Sequence, residues 1–106
     1  RMPLISGFLF NEVTNSMSSF SDVLSGSATW DPSGIGDGDE QAIGITVAGA
    51  ELGDYCLASI SVDIQDMVLR CQVTAADTVT LVLANNTGSE VDLGSSTASC
   101  IVIKQV

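Results

Sequence analysis

The sequence has no histidine, and its only basic residues are Arg1, Arg70 and Lys104. Without an imidazole, Ser-His-Asp and Cys-His nucleophile pairs cannot be assembled. No serine stands in a Gly-x-Ser-x-Gly elbow. Zinc chemistry fails on the same absence, because the three cysteines lack a zinc-ligand spacing. Three cations against thirteen acidic residues leave a net charge of −10. Nucleic-acid binding needs cationic side chains to displace counterions from phosphates. Nucleic acid is therefore excluded as a partner, and anionic membranes for the same reason. No apolar run approaches the roughly 20 residues of a membrane-spanning helix. Aromatics make up only 5% of the chain, so a core must come from Val, Ile, Leu and Ala. Those are the side chains of a thin sheet-on-sheet interior.

What is present fits one small folded unit. The chain has 106 residues, 45% of them apolar, which suits a single domain and argues against intrinsic disorder. Cys56, Cys71 and Cys100 are odd in number and cannot all pair within one chain. Each lies in an apolar run, where cysteine behaves as a small hydrophobe. Buried free thiols made in a reducing cytoplasm are the expectation. A Cys56–Cys71 bridge between strands brought together by a hairpin is the alternative. The first ten residues are mixed and do not follow the charged-then-apolar order of a secretory leader.

Residues 1–29 read as an extended N-terminal arm, with Leu4, Ile5, Phe8, Leu9 and Phe10 clustered ahead of a serine-rich stretch. Met17, Phe20, Val23 and Leu24 allow one helical turn, but the nearby serines weaken it. So apolar an arm should lie on its own domain or on a neighbour. Residues 30–106 read as a β-sandwich domain. Its first part, Asp31 to Glu40, is a Gly/Asp loop without periodicity. Five strands are predicted after it: 41–48, 55–62, 67–74, 77–84 and 97–105. Ile43, Ile45 and Val47 face inward on the first of these. Cys56, Ala58, Ile60 and Val62 do so on the second, and Met67, Leu69, Cys71 and Val73 on the third. Turn residues separate the strands at roughly 12-residue spacing, so the fold class is all-β: a small antiparallel sandwich, jelly-roll or Ig-like.

Four features invite functional readings. The Asp31–Glu40 loop is rich in oxygen ligands but lacks the order of an EF-hand calcium loop, and a solvated acidic loop is expected instead. Asn85-Asn86-Thr87 matches a glycosylation sequon, a triplet that a hairpin turn also produces by chance. Trp30 is the single tryptophan. It serves either as an exposed contact platform or, as expected here, as a plug at one end of the sandwich. Paired carboxylates suited to glycoside hydrolysis are not apparent, because the acidic residues spread through turns. The chain is not expected to be an enzyme, and no catalytic residue, cofactor or metal is assigned.

The blocks Ala28-Thr29-Trp30-Asp31-Pro32-Ser33, Ile35-Gly36-Asp37-Gly38 and Thr46-Val47-Ala48-Gly49-Ala50-Glu51-Leu52-Gly53-Asp54 come in order along the chain. They are followed by Thr74-Ala75-Ala76-Asp77-Thr78-Val79-Thr80, Asn86-Thr87-Gly88 and Val91-Asp92-Leu93-Gly94-Ser95. In order and spacing the segment from Ala28 onward resembles a recurrent domain of tailed-phage structural proteins. The arm lies outside the resemblance, and the cysteines depart from the usual pattern. The resemblance implies a module on the outside of a virion, typically trimeric: a capsid decoration (cement) protein, or a receptor-binding or adhesive module of a head or tail fibre. A fibre-tip module follows a long shaft, and none is visible in this sequence, so decoration is the expected role. On that reading the protein assembles in the host cytoplasm and resides on the capsid surface. Its partners are the major capsid protein and its own copies in a homotrimer. Leu4, Ile5, Phe8, Leu9 and Phe10 would make the inter-subunit or capsid contacts. A secreted bacterial adhesin is a third reading, disfavoured by the mixed N-terminus and the odd cysteine count.

Overall fold

The structure, a computed structural model, describes residues 22–105. Leu4, Ile5, Phe8, Leu9 and Phe10 therefore lie outside the described residues. Six strands form the domain: β1 (Val23–Trp30), β2 (Glu40–Thr46), β3 (Tyr55–Ile60), β4 (Val68–Ala75), β5 (Thr78–Ala84) and β6 (Ser96–Ile103). They make two three-stranded antiparallel sheets, in the orders β1-β6-β3 and β2-β5-β4. Only β4 and β5 are both consecutive and paired. Every other connection crosses from one sheet to the other. The two sheets make a small antiparallel β-sandwich, the fold class expected from sequence.

The alternation that predicts the strands is also what builds the core. Ile45, Val47, Val73, Val79, Leu81, Leu83, Ala98 and Val102 are each at most 2% exposed, and successive strand residues point to opposite faces. Burying such aliphatic side chains supplies about 25 cal/mol for each Å² removed from water. That is the main term holding the two sheets together. The acidic residues fall outside this pattern. Among the described residues, Glu40 at the start of β2 is the only one inside a strand.

β1 is the element that composition did not reveal. Residues 23–29, assigned to the arm, are extended as expected, but they pair along their length with β6. The sheet thus begins at Val23 and not at Trp30, and no helical turn includes Val23 and Leu24. The inward residues of β1 are Leu24, Gly26, Ala28 and Trp30, so two of four carry almost no apolar bulk and the period-2 signal fades. The small size at position 26 is required. A Cβ on Gly26 would stand 2.8 Å from the Thr46 carbonyl oxygen and 2.9 Å from a Val47 methyl. β1 approaches the end of β2 that closely only because the residue is glycine.

The Asp31–Glu40 segment is not the loose acidic loop expected. Ile35 is 1% exposed and forms an isolated antiparallel bridge with Val91. Gly38 N–H donates to the Asn85 carbonyl at 2.7 Å, and Asn85 N–H donates to the Asp39 carbonyl at 2.9 Å. The Asp37 carboxylate accepts from Gly88 N–H. These contacts clamp the loop to the β5–β6 connection.

Candidate docking face

The outward surface of the β1-β6-β3 sheet is set by register. Val23, Ile103 and Tyr55 form one rung across it, and Ser25, Ile101 and Leu57 the next. Ser27, Ser99 and Ser59 follow, and Thr29 pairs with Thr97 beyond them. None of these side chains is charged, on a chain whose net charge is −10. Apolar groups hold one end of the face and hydroxyls the other. Val23 (51%), Tyr55 (63%) and Leu57 (62%) are more than half exposed. Exposed apolar residues scattered singly need no explanation, whereas a contiguous set on one sheet face makes this face the candidate for an interaction surface.

The centre of this face is a shallow open depression of about 440 Å³. Small side chains line its floor and flanks (Ser25, Ser27, Ser59 and Ser99), while Leu57 and Ile101 stand beside them. The outer surface of the second sheet differs in kind. There Arg70 donates to Glu40 at 3.2 Å, both well exposed, and Gln72 and Thr80 continue the polar surface. Charge was therefore confined to one sheet and to the loops.

An ion cluster closes the apolar end. Lys104, just past β6, donates from Nζ to Asp54 Oδ2 (2.6 Å), Glu51 Oε1 (3.1 Å) and the Gly49 carbonyl (2.8 Å). Asp54 also accepts from the backbone N–H of Gln105 and of Glu51. These bonds, led by that from Gln105 and followed by the ammonium of Lys104, hold the Asp54 carboxyl down at about 2. The same contact with Asp54 raises the Lys104 ammonium. Lys104 N–H donates to the Asp22 carbonyl at 3.0 Å, which places the start of β1 beside the apolar rung.

Other sequence-marked residues are placed differently. Trp30 is 7% exposed, and its carbonyl accepts from Ser96 Oγ. It is a buried residue at the end of β1, as expected, and offers no exposed ring. Asn85 is fully buried, with its side chain committed to the loop clamp, so its sequon is structural. Asp31, Asp37, Asp39 and Glu40 do not converge. Among the described residues no three metal-ligating side chains come together. Cys56, Cys71 and Cys100 are free thiols. The first two are neighbours, though not through a hairpin: β3 and β4 belong to different sheets. No helix among the described residues is long and apolar enough to cross a membrane.

The uncharged face escaped sequence reading because it depends on which strands lie side by side. Val23, Leu57 and Ile101 are distant in sequence, and alternation marks each as solvent-facing without saying that they share a surface.

No protein-family model, curated protein or solved structure matches the chain.

Proposed function

We propose that this chain is a capsid decoration (cement) protein of a tailed bacteriophage, one that binds protein surfaces without catalysis. It would dock on the outer face of the major capsid protein, as a homotrimer, and stabilise the head. The observation that carries this reading is the charge-free outer surface of the β1-β6-β3 sheet on a strongly acidic chain. An apolar face can be desolvated against another protein at little polar cost. The acidic loops around it keep the protein soluble and repel DNA. The block order from Ala28 onward, which resembles tailed-phage structural domains, supplies the setting. On this proposal Leu4, Ile5, Phe8, Leu9 and Phe10 make inter-subunit or capsid contacts, adding buried area at about 25 cal/mol per Å². A threefold arrangement would let each arm make the same heterologous contact with the next copy and close the ring.

The test is co-sedimentation of the full chain with phage heads stripped of surface proteins, beside its mass in solution by light scattering. Stoichiometric recovery with heads, little changed by added salt, is expected, and so is a mass three times that of the chain. The double variant Phe8→Ser/Phe10→Ser should lose the heads while its domain remains folded. Full occupancy by that variant would reject the role given to the arm. The alternative, a receptor-binding or adhesive fibre module engaging its target through Trp30 and the loops, is left with the loops, because Trp30 is buried. Selective binding on a glycan array, without recovery on heads, would favour it.

A further inference from the structure

β3 and β4 are edge strands of opposite sheets, and no strand pairing joins them. Cys56 lies on one and Cys71 on the other. Their Sγ atoms are 3.0 Å apart, inside van der Waals contact and about 1 Å beyond the ~2.05 Å of a disulfide bond. Both thiols are free and half-buried, within reach of a small reagent. Register separates the third thiol from Cys56. Cys56 pairs with Val102 and Ala58 with Cys100, so Cys56 and Cys100 are diagonal neighbours within one sheet. Diagonal positions stand roughly 7–8 Å apart, beyond the ~6.8 Å Cα separation that a disulfide spans without backbone movement. Cys100 is also only 3% exposed.

We propose that Cys56 and Cys71 are an oxidation site: a dithiol that closes into a disulfide between the two sheets when the protein meets a disulfide oxidant such as oxidised glutathione. One cysteine thiolate attacks the glutathione disulfide and releases one reduced glutathione. The second cysteine then displaces the other glutathione from the mixed disulfide. The protein loses two electrons and two thiol hydrogens, and both hydrogens leave on the two glutathione molecules. Burial first, and the hydrogen bond to Cys56 second, push the Cys71 thiol up to about 12. Cys71 thiolate is therefore scarce at neutral pH, and the step in which Cys71 attacks is slow. A chain made in a reducing cytoplasm would keep both thiols. The same chain, held in an oxidising medium, would acquire a covalent staple where only side chains join the sheets. The inference rests on the sulfur geometry and not on the docking reading.

The test incubates the full chain with excess oxidised glutathione at mildly alkaline pH, followed by thiol titration, intact mass and peptide mapping. The expected product has one free thiol, a mass lower by two hydrogens, and Cys56 linked to Cys71. Closing a loop of about 15 residues should raise Tm by roughly 10 °C or more, reversed by dithiothreitol. The Cys56→Ser variant should show no such rise. Three persisting thiols, stable glutathione adducts, or a bridge to Cys100 would each overturn the proposal, and none of these readings depends on a variant folding.

Discussion

The Asn85 side chain donates from Nδ2 to the Ile35 carbonyl at 2.7 Å, across a sequence separation of 50 residues. The same nitrogen donates to the Ser89 carbonyl, and Oδ1 accepts from Thr87 N–H and Thr87 Oγ1. All four hydrogen-bonding positions of a fully buried amide are filled. Removing the amide takes away all four of these hydrogen bonds and leaves Thr87 N–H without its acceptor, while the Ile35 carbonyl keeps Val91 N–H and the Ser89 carbonyl keeps Thr87 Oγ1. Asn85→Ala should therefore cost about 3 kcal/mol of unfolding free energy. Asn85→Asp should cost no less at neutral pH, because an oxygen would then face both carbonyls. Urea denaturation checks both. Expression in a glycosylating host should leave the folded protein unmodified at Asn85, as intact mass would show.

Gly26→Ala places a methyl within 3 Å of the Thr46 carbonyl and Val47. Neither neighbour is the far end of a flexible side chain, so backbone must move. A loss of about 1–3 kcal/mol is expected from overpacking, against a fraction of that for Gly44→Ala, where the nearest atom is 3.9 Å away. Thermal unfolding of the pair separates close approach from ordinary glycine replacement.

Asp54 titrates at about 2 in the folded protein against about 3.9 in an unfolded chain. A depressed carboxylate stabilises the fold fully above its unfolded value, and the contribution fades as pH falls through the folded one. Wild-type protein should accordingly be more stable than Asp54→Asn at pH 6, with the gap narrowing between about pH 4 and pH 2. Lys104 runs the other way. Its raised value gives a contribution present below about 10.4 and lost as pH rises past the folded value. A gap between wild type and Asp54→Asn that stayed constant down to pH 2 would contradict the ion cluster.

Leu57→Asp with Ile101→Asp introduces two charges on the uncharged face without touching the core. Leu57 is 62% and Ile101 39% exposed, so the domain should stay folded, with Tm changed by only a few degrees. Binding to heads, measured by co-sedimentation, should fall by at least tenfold. The control pair Arg70→Ser and Gln72→Asp, on the other sheet, should bind as wild type does.

Strand positions and their inward faces were legible because period-2 alternation carries the hydrophobic effect directly. Ile43, Ile45 and Val47, or Val79, Leu81 and Leu83, can be buried together only on one side of a strand. Expected and observed strands differ by a residue or two at their ends. β1 was the exception, since Gly26 and Ala28 face inward with too little bulk to register as a pattern. The clamped loop was also missed. Ile35 looked like an isolated apolar residue among glycines, and its partner Val91 lies far along the chain.

The sequence by itself determined an all-β domain, the identity of most of its core, and a strong negative charge set in turns. Each of these is a property of local order or of composition. Only the tertiary structure decided that β1 belongs to the sheet, that Asn85 ties two loops, and that Cys56 meets Cys71 across the sandwich edge. It alone put Val23, Ile101 and Leu57 on one uncharged face. All of these depend on which strands become neighbours. Strand order in such a sandwich comes from the joint burial of both sheets, and no single stretch of the chain carries it.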